Sequence, residues 1–310
     1  MSMQELTPAQ AVSLEESLAA QKRMTRRQEV RGAIAIGVLW AITLLVAAIF
    51  VFIIIRLLIE GAPTLLQASF YGTGEAGIAP ELFNTFYILI LAEIFLFPIS
   101  LAAAIFLVEY SRPGRFITVI HFAAETLSGV PSLVLGMFGF LIFVVYAHMG
   151  TSRLAGALTL LCLNFPLALR LYEQALETVP RDLREAGLAL GSTRWHMIRT
   201  VVIPSALPGL ITGLILTAGK IIGEAAALLF TMGLFNPTNV FTLNPLVASD
   251  TLTTRLYYIK GPGAGTLGLN SVQESALAAG LSAVLIILLL VINLSSRAIG
   301  RAIQRRITAA

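Results

Sequence analysis

The chain has 310 residues, of which 57% are apolar and 12% are charged, and its formal net charge at pH 7 is +4. Soluble domains carry about 25% charged residues, so this composition excludes an ordinary soluble domain and indicates that most of the chain lies in a bilayer. The single cysteine, Cys162, excludes an internal disulfide, and no Cys/His cluster has the spacing of a zinc site.

Six apolar runs predict transmembrane helices, because a helical span requires about 20 mostly apolar residues. The first run has no charge and follows a polar leader, residues 1–31, so we interpret it as a retained helix rather than a signal peptide. The predicted spans are Gly32–Ile55, Leu82–Val108, Pro131–Ala147, Leu154–Tyr172, Ala206–Met232 and Ala276–Leu294. The sequence thus predicts an all-α membrane protein with a membrane domain at residues 32–310.

The basic residues indicate the orientation of these spans. One side carries most of the lysines and arginines, whereas the other carries only Arg56, Arg153, Arg255 and Lys260. Because cytoplasmic loops are enriched in basic residues, both termini and the loop at residues 173–205 are predicted to be cytoplasmic. Short basic clusters beside apolar runs are a topology signal, and we therefore expect lipid, not nucleic acid, around this chain.

The outer loop, residues 233–275, contains the turn signals NPTN, NPL and GPGAG around a possible short helix, TLTTRLYYI. Two interpretations remain open, an external cap or partner surface and a mobile connector.

The cytoplasmic loop shows the pattern of two short helices joined by a turn. Pro180 suits the first turn of one helix, and Gly191 fits the left-handed residue that follows it. Ser192 or Thr193 fits the cap of a second helix, which Pro204 is expected to end. The alternatives are a docking elbow and a membrane-surface hairpin without a partner. Small residues that would let a partner approach closely are Ala186, Gly187 and Ala189.

This loop contains EAGLALG, nine residues and then VVIP, and it resembles the EAA loop of ABC-importer permeases. Glu185, Ala186, Gly191 and Pro204 match that pattern, whereas Gly187 stands where the family has its second alanine. The resemblance implies that the loop docks in a groove of an ATP-hydrolysing subunit.

Longer segments, from about Leu82 to Leu294, are similar to phosphate permeases of the PstA type. They include NTFYILILAEIFLFPISLAAAIFLVEYSRPGRF and GKIIGEAAALLFTMG. The resemblance implies a type I (MetI-like) permease fold, with its core at about 82–297, in the bacterial plasma (inner) membrane. It also implies a second, PstC-like permease subunit in a heterodimer, two ATPase subunits and an extracytoplasmic phosphate-binding protein. ATP and Mg would bind to the ATPases, so this chain is expected to bind no cofactor and to be no enzyme.

Two charged residues, Lys220 and Glu224, interrupt the fifth predicted span. A continuous helix would place Gly213, Thr217 and Thr231 with them in a stripe about 60° wide. A charge at mid-span costs about 2.5–3.5 kcal/mol, so it should face protein or a water path. The alternatives are a self-neutralising pair, for which Lys before Glu is the weaker order, and a role in a substrate path.

Phosphate permeases usually have an Arg–Glu pair at this place, and Lys220 departs from it. Lysine lacks the planar fork that grips a phosphate with two hydrogen bonds, so we expect a weak electrostatic stepping stone rather than a tight site. The predicted path residues are Lys220, Glu224, Thr217 and Arg170. Arg170 ends the fourth span, where a membrane anchor is the alternative role.

Three further polar residues lie in or beside the spans. Glu93 would repel phosphate, so we expect it to make an interhelical hydrogen bond or a local ion pair. Ser128 and Ser132 flank GVP, where either a broken helix that exposes backbone donors or a helix cap would explain them.

The sequence therefore predicts one permease subunit of an ATP-driven phosphate importer. GLILTAGKI fails the Walker A pattern, since the spacing between its glycines is wrong and no Ser/Thr follows the lysine. The alternatives are a permease of the same build for sulfate or molybdate and, from another class, an ATP-independent transporter or channel. The latter predicts inverted internal repeats, which are not evident.

Overall fold

The computed structural model of the chain describes the backbone of residues 8–233 and 241–308 and the side chains of residues 32–233, 241–295 and 298. The described residues contain helices and loops but no β-strand. Their α-helices are α1 (Pro8–Leu65), α2 (Ala79–Ile105), α3 (Arg115–Ser128), α4 (Ser132–Gly139), α5 (Arg153–Glu177), α6 (Arg181–Ala189), α7 (Arg194–Met197), α8 (Ile203–Gly223), α9 (Ala226–Thr231), α10 (Leu252–Lys260) and α11 (Ser271–Thr308). The predicted turn NPTN, residues 236–239, lies outside the described residues.

Five helices of the described chain are long and apolar enough to cross a membrane, and one bent helix pair brings the number to six if it counts as a span. The five are Gly32–Leu65, Ala79–Tyr110, Arg153–Glu177, Arg194–Gly223 and Ser271–Ser295. In the pair, α3 and the helix Ser132–Tyr146 meet at an angle of 100°. The all-α membrane architecture is confirmed, and the third predicted span corresponds to the second member of this pair.

The fifth predicted span differs from the structure at both ends. Its helix begins at Arg194 and passes through a π-helical turn, Ile198–Val202, into α8. The expectation that Pro204 ends the preceding helix is wrong, because wider π-type hydrogen bonding accommodates a residue that has no N–H group. The helix instead ends at Gly223, and Glu224 is extended, with φ −79° and ψ 122°. The predicted continuous helix to Met232 is therefore wrong as well.

The chain forms two compact units, of which the first ends at Arg56 and the second begins at Leu57. Helix α1 passes from one to the other and already begins at Pro8, within the leader. In the first unit the apolar side chains from residue 34 to 55 are mostly exposed, as expected for a helix surrounded by lipid or by another chain.

The core of the second unit is formed mainly by α2, α5 and α8, with α5 between the other two. Glycines bring α8 close to α5: a Cβ on Gly213 would lie 2.9 Å from Cε1 of Tyr172, and one on Gly209 would lie 2.7 Å from Cβ of Ala175. Such small-residue contacts are typical of helix packing in membranes, where dispersion rather than the hydrophobic effect holds helices together.

The described residues 241–270, between α9 and α11, are here called the cap. Arg153, whose exposed fraction is 0%, anchors this segment. Its Nε donates to Oγ of Ser249 (2.9 Å), its Nη2 donates to Oδ1 of Asn84 (2.6 Å), and its Nη1 donates to the carbonyl of Thr242. This arginine therefore ties the cap to α2 and α5.

A second buried arginine, Arg255, anchors the other part of the cap. Its Nη1 lies 2.9 Å from Oε1 of Glu81 and 3.9 Å from Oδ2 of Asp250, and its Nη2 donates to the carbonyl of Glu75 at 2.7 Å. The predicted helix TLTTRLYYI is confirmed as α10, which begins with a capping box at Thr251. These contacts favour the interpretation of the outer loop as a cap over that of a mobile connector.

Candidate functional site

The region here called the elbow, residues 178–197, is a helix–turn–helix made of α6 and α7. Gly191 has a φ of +80°, which confirms the predicted left-handed residue after the first helix. Oγ1 of Thr193 accepts a hydrogen bond from the backbone N–H of His196 (3.3 Å), so Thr193 caps α7. Ser192 has a different role, since its hydroxyl donates to the carbonyl of Gly187 at 2.7 Å. The elbow geometry is thus that expected from the sequence.

The elbow presents an open surface of mixed character. Glu185, Ala186 and Ala189 are exposed, as is Leu190, with an exposed fraction of 89%. Gly187 was expected on this surface, but it faces α7, because a Cβ there would lie 2.9 Å from Cγ of Met197. The absence of a side chain at Gly187 therefore allows α6 to pack closely against α7. The exposed residues named above remain available to a partner.

Arg184 attaches the elbow to the neighbouring spans. Its Nε donates to Oε1 of Glu109 (2.9 Å), at the end of the span that begins with α2. Its Nη1 and Nη2 donate to the carbonyls of Val179 (2.6 Å) and Leu176 (2.8 Å), at the end of α5. In the sequence Arg184 is recognisable only as one of the basic residues that indicate orientation, because no local pattern points to an acid 75 residues away.

A cavity of about 760 Å³ lies beside the elbow, between the end of the second span, α3, the end of α5 and α6. Glu173, Glu177 and Glu185 line it together with His121 and Arg181. Oε1 of Glu173 lies 3.2 Å from Nε2 of His121. Glu109 and Arg184 also line it, so the cavity has four acids and two arginines and a net negative formal charge.

Lys220 and Glu224 lie on either side of the break that ends α8. Lys220 is exposed in the last turn of α8, where the negative end of the helix dipole favours a cation. Oε1 of Glu224 accepts a hydrogen bond from the N–H of Ala227 (3.2 Å), and its carbonyl accepts one from the hydroxyl of Thr253 (3.0 Å). In this described region Lys220 and Glu224 form no ion pair with each other, so the self-neutralising pair is not the arrangement that the structure shows.

The predicted polar stripe is divided between the interior and the surface. Gly213, Thr217 and Thr231 are buried, whereas Lys220 is exposed. The hydroxyl of Thr217 donates to Oε1 of Glu93 at 2.7 Å, which confirms that Glu93 makes an interhelical hydrogen bond.

Arg170 is held by an acid of α3, since its Nη2 donates to Oε1 of Glu125. The predicted break between Ser128 and Ser132 is present, but neither side chain caps α4. Instead, the hydroxyl of Ser128 donates to the carbonyl of Glu125 at 2.8 Å.

Several apolar spans, ionisable groups within them and a charged helical elbow at one end are typical of a multi-pass membrane transport protein. The model of the family "Binding-protein-dependent transport system inner membrane component" matches residues 96–309, and the chain belongs to that family.

Similar proteins include two relatives and a solved structure that share different lengths of this chain. The "Probable ABC transporter permease protein YqgI" of Bacillus subtilis (strain 168) is 38% identical over 298 residues, which cover 91% of this chain and 99% of the relative. "Phosphate transport system permease protein PstA 1" of Mycobacterium tuberculosis (strain H37Rv) is 34% identical over 173 residues, 56% of either chain. An inward-facing structure of the MetNI methionine ABC transporter matches with a TM-score of 0.57 at 22% identity, over 73% of this chain and 95% of that one. The MetI-like permease fold is therefore confirmed.

Proposed function

We propose that this chain is the transmembrane permease subunit of an ATP-driven importer of inorganic phosphate in the bacterial plasma membrane. Membership of a binding-protein-dependent transport family supports an importer, and the similarity to phosphate permeases supports the solute. The observation that carries the proposal is the elbow, which combines an exposed acidic and apolar surface with a firm attachment to the membrane helices through Arg184.

The elbow docks on an ATPase subunit, where Glu185, Ala186 and Leu190 are available for contact. Gly191 shapes the turn, and Pro204 lies in the helix that leads from the elbow to mid-membrane. Two such ATPases bind ATP and Mg, and their closure moves the elbow. The basic clusters of the sequence support cytoplasmic termini, so the cap faces outward, towards an extracytoplasmic phosphate-binding protein.

The substrate path runs between this chain and a second, PstC-like permease subunit. A lysine exposed to lipid is unfavourable, so Lys220, in the last turn of α8, faces the partner subunit or water. Glu224 and Lys220 lie at the helix break that borders this path, and Arg170 lies near its cytoplasmic mouth. Thr217, also predicted to line the path, is buried behind Lys220.

Transport by the reconstituted complex tests the solute. Vesicles that contain the permease pair, the ATPases and the binding protein should take up labelled phosphate only with ATP. Unlabelled phosphate should compete, whereas sulfate and molybdate should not. Competition by sulfate or molybdate alone would indicate another oxyanion importer, and uptake without ATP would indicate an ATP-independent transporter.

Co-purification tests the coupling surface. Glu185→Arg should reduce recovery of a Walker-containing ATPase with the permease, because it reverses a charge at the docking surface. Glu75→Arg, an equally exposed acid at the cap end of the molecule, is the matched control and should leave recovery unchanged. Equal recovery with both variants would contradict docking through the elbow.

A further inference from the structure

We propose that Glu93, Thr217 and Tyr172 form a latch between α2, α8 and α5 that exchanges one hydrogen bond in each transport cycle. In this role Glu93 is a positioning residue, since it holds helices in place and does not bind the solute. The inference rests on the proposed function, because only a transporter must alternate between helix arrangements.

Thr217 has three competing acceptors for its single hydroxyl proton. Its Oγ1 lies 2.7 Å from Oε1 of Glu93, and it lies 2.8 and 3.3 Å from the carbonyl oxygens of Leu214 and Gly213 in its own helix. One proton serves only one of these acceptors at a time. Thr217 can therefore release Glu93 and still donate a hydrogen bond within α8. This lowers the free energy needed to break the contact between α2 and α8.

Tyr172 supplies the alternative donor for the released carboxylate. Its hydroxyl is buried without a hydrogen-bond partner, as is Oε2 of Glu93. The ring packs against Gly213, one helical turn before Thr217 on α8. Because a polar group without a partner is costly inside a membrane, these two unpaired groups favour a second arrangement in which Tyr172 donates to Glu93.

The helix that carries Thr217 connects this latch to the elbow. Residues 194–223 form one uninterrupted helical segment from α7 through the π-helical turn to the end of α8. A displacement of the elbow is therefore transmitted along α8, at about 1.5 Å of helix per residue, to the middle of the membrane. Interfaces with two discrete arrangements convert such small displacements into a switch.

Two substitutions separate the two arrangements, and a third serves as their control. Thr217→Val removes the hydrogen bond between Thr217 and Glu93. ATP hydrolysis in the absence of binding protein should therefore rise about three- to tenfold, and uptake per ATP hydrolysed should fall. Tyr172→Phe removes the second arrangement, so uptake should slow while this idle hydrolysis stays unchanged. Thr159→Val is the matched control, because Thr159 is equally buried and its hydroxyl donates only within its own helix, to Ala155 (2.8 Å).

The distance between α2 and α8 tests the latch independently of any transport assay. Spin labels at Ile90→Cys on α2 and Leu216→Cys on α8, both exposed positions, are placed in a Cys162→Ala background. The nucleotide-dependent change in distance seen in the wild-type complex should already occur without nucleotide in Thr217→Val, but not in Thr159→Val. Identical distances and hydrolysis rates in these two variants would overturn the latch. Absence of ATP-driven uptake by the wild-type complex would overturn the proposed function instead, while the label distances would still test the latch.

Discussion

Arg153 shows how one buried side chain holds parts of the sequence that lie far apart. It starts α5, and its guanidinium reaches Asn84 of α2 and Ser249 of the cap. Two aromatic rings of α2 also lie within 6 Å of it, at 5.8 and 4.7 Å. In the sequence Arg153 is recognisable only as one of the few basic residues on the outer side. Its anchoring role is not predictable, because its partners come together only after folding.

Replacing Arg153 with Met should therefore destabilise the protein by about 3 kcal/mol or more, since buried groups of Asn84 and Ser249 lose their donor. Thermal unfolding of the purified protein in detergent measures this change. Arg115→Met, an exposed position in the described chain, serves as the control and should have little effect. Similar melting temperatures for both variants would contradict the anchoring role.

At the scale of elements, the elbow and the cap are attached in different ways. The elbow is connected to α8 by continuous helix and, through Arg184, to Glu109 at the end of the span that begins with α2. The cap has no such continuity, and buried charges and backbone hydrogen bonds hold it. The carbonyls of Pro245 and Val247, for example, accept from the first N–H groups of α5, at 2.8 and 3.1 Å. The elbow therefore continues directly into a span, whereas side-chain and backbone contacts join the cap to the spans.

Arg184→Gln should separate docking from transport. The exposed elbow surface remains, so the ATPase should still co-purify, but uptake should fall about tenfold or more, because hydrogen bonds to a charged group contribute about 1.5–3 kcal/mol each. ATP-dependent uptake in vesicles measures the effect. Arg181→Gln, an exposed neighbour in α6, should transport normally, and normal uptake by Arg184→Gln would exclude the coupling role.

The cap should become less stably attached as pH rises. Burial and the nearby Glu81 carboxylate raise the pKa of Asp250 from 3.8 to about 7, against the opposing effect of Arg255. Between these values the folded protein keeps a proton that the unfolded chain releases. The stability contribution of neutral Asp250 is therefore complete below about pH 4 and is lost as pH rises through about 7.

Hydrogen exchange of the cap at about pH 5 and about pH 8, corrected for intrinsic rates, measures this dependence. Protection of the cap should decrease at the higher pH in the wild type and much less in Asp250→Asn. Asp182→Asn, an exposed position in the elbow, should behave as the wild type. A wild-type pH response in Asp250→Asn would assign the effect to another group.

At the scale of the whole molecule, the exposed Lys220 in the last turn of α8 supports the proposal that one chain forms only part of a solute path. Lys220 faces away from the core of its own chain. Lys220→Gln should abolish uptake and leave assembly intact, because the passing anion loses its cation. Lys260→Gln, an exposed lysine at the end of α10, should transport normally. Uptake and co-purification assays measure both outcomes, and normal uptake by Lys220→Gln would remove that residue from the path.

The sequence by itself determined most of the apolar spans, the elbow with its left-handed Gly191, and the expectation that Glu93 makes an interhelical hydrogen bond or a local ion pair. These features follow from local hydrophobicity, turn chemistry and the cost of a charge in the membrane. Only the tertiary structure decided that Glu93 bonds to Thr217, that Arg184 holds Glu109, and that the helix breaks at Glu224. Such contacts depend on which helices pack together. Glu93 and Thr217 are 124 residues apart and Glu109 and Arg184 are 75 apart, so no local sequence pattern predicts either pair.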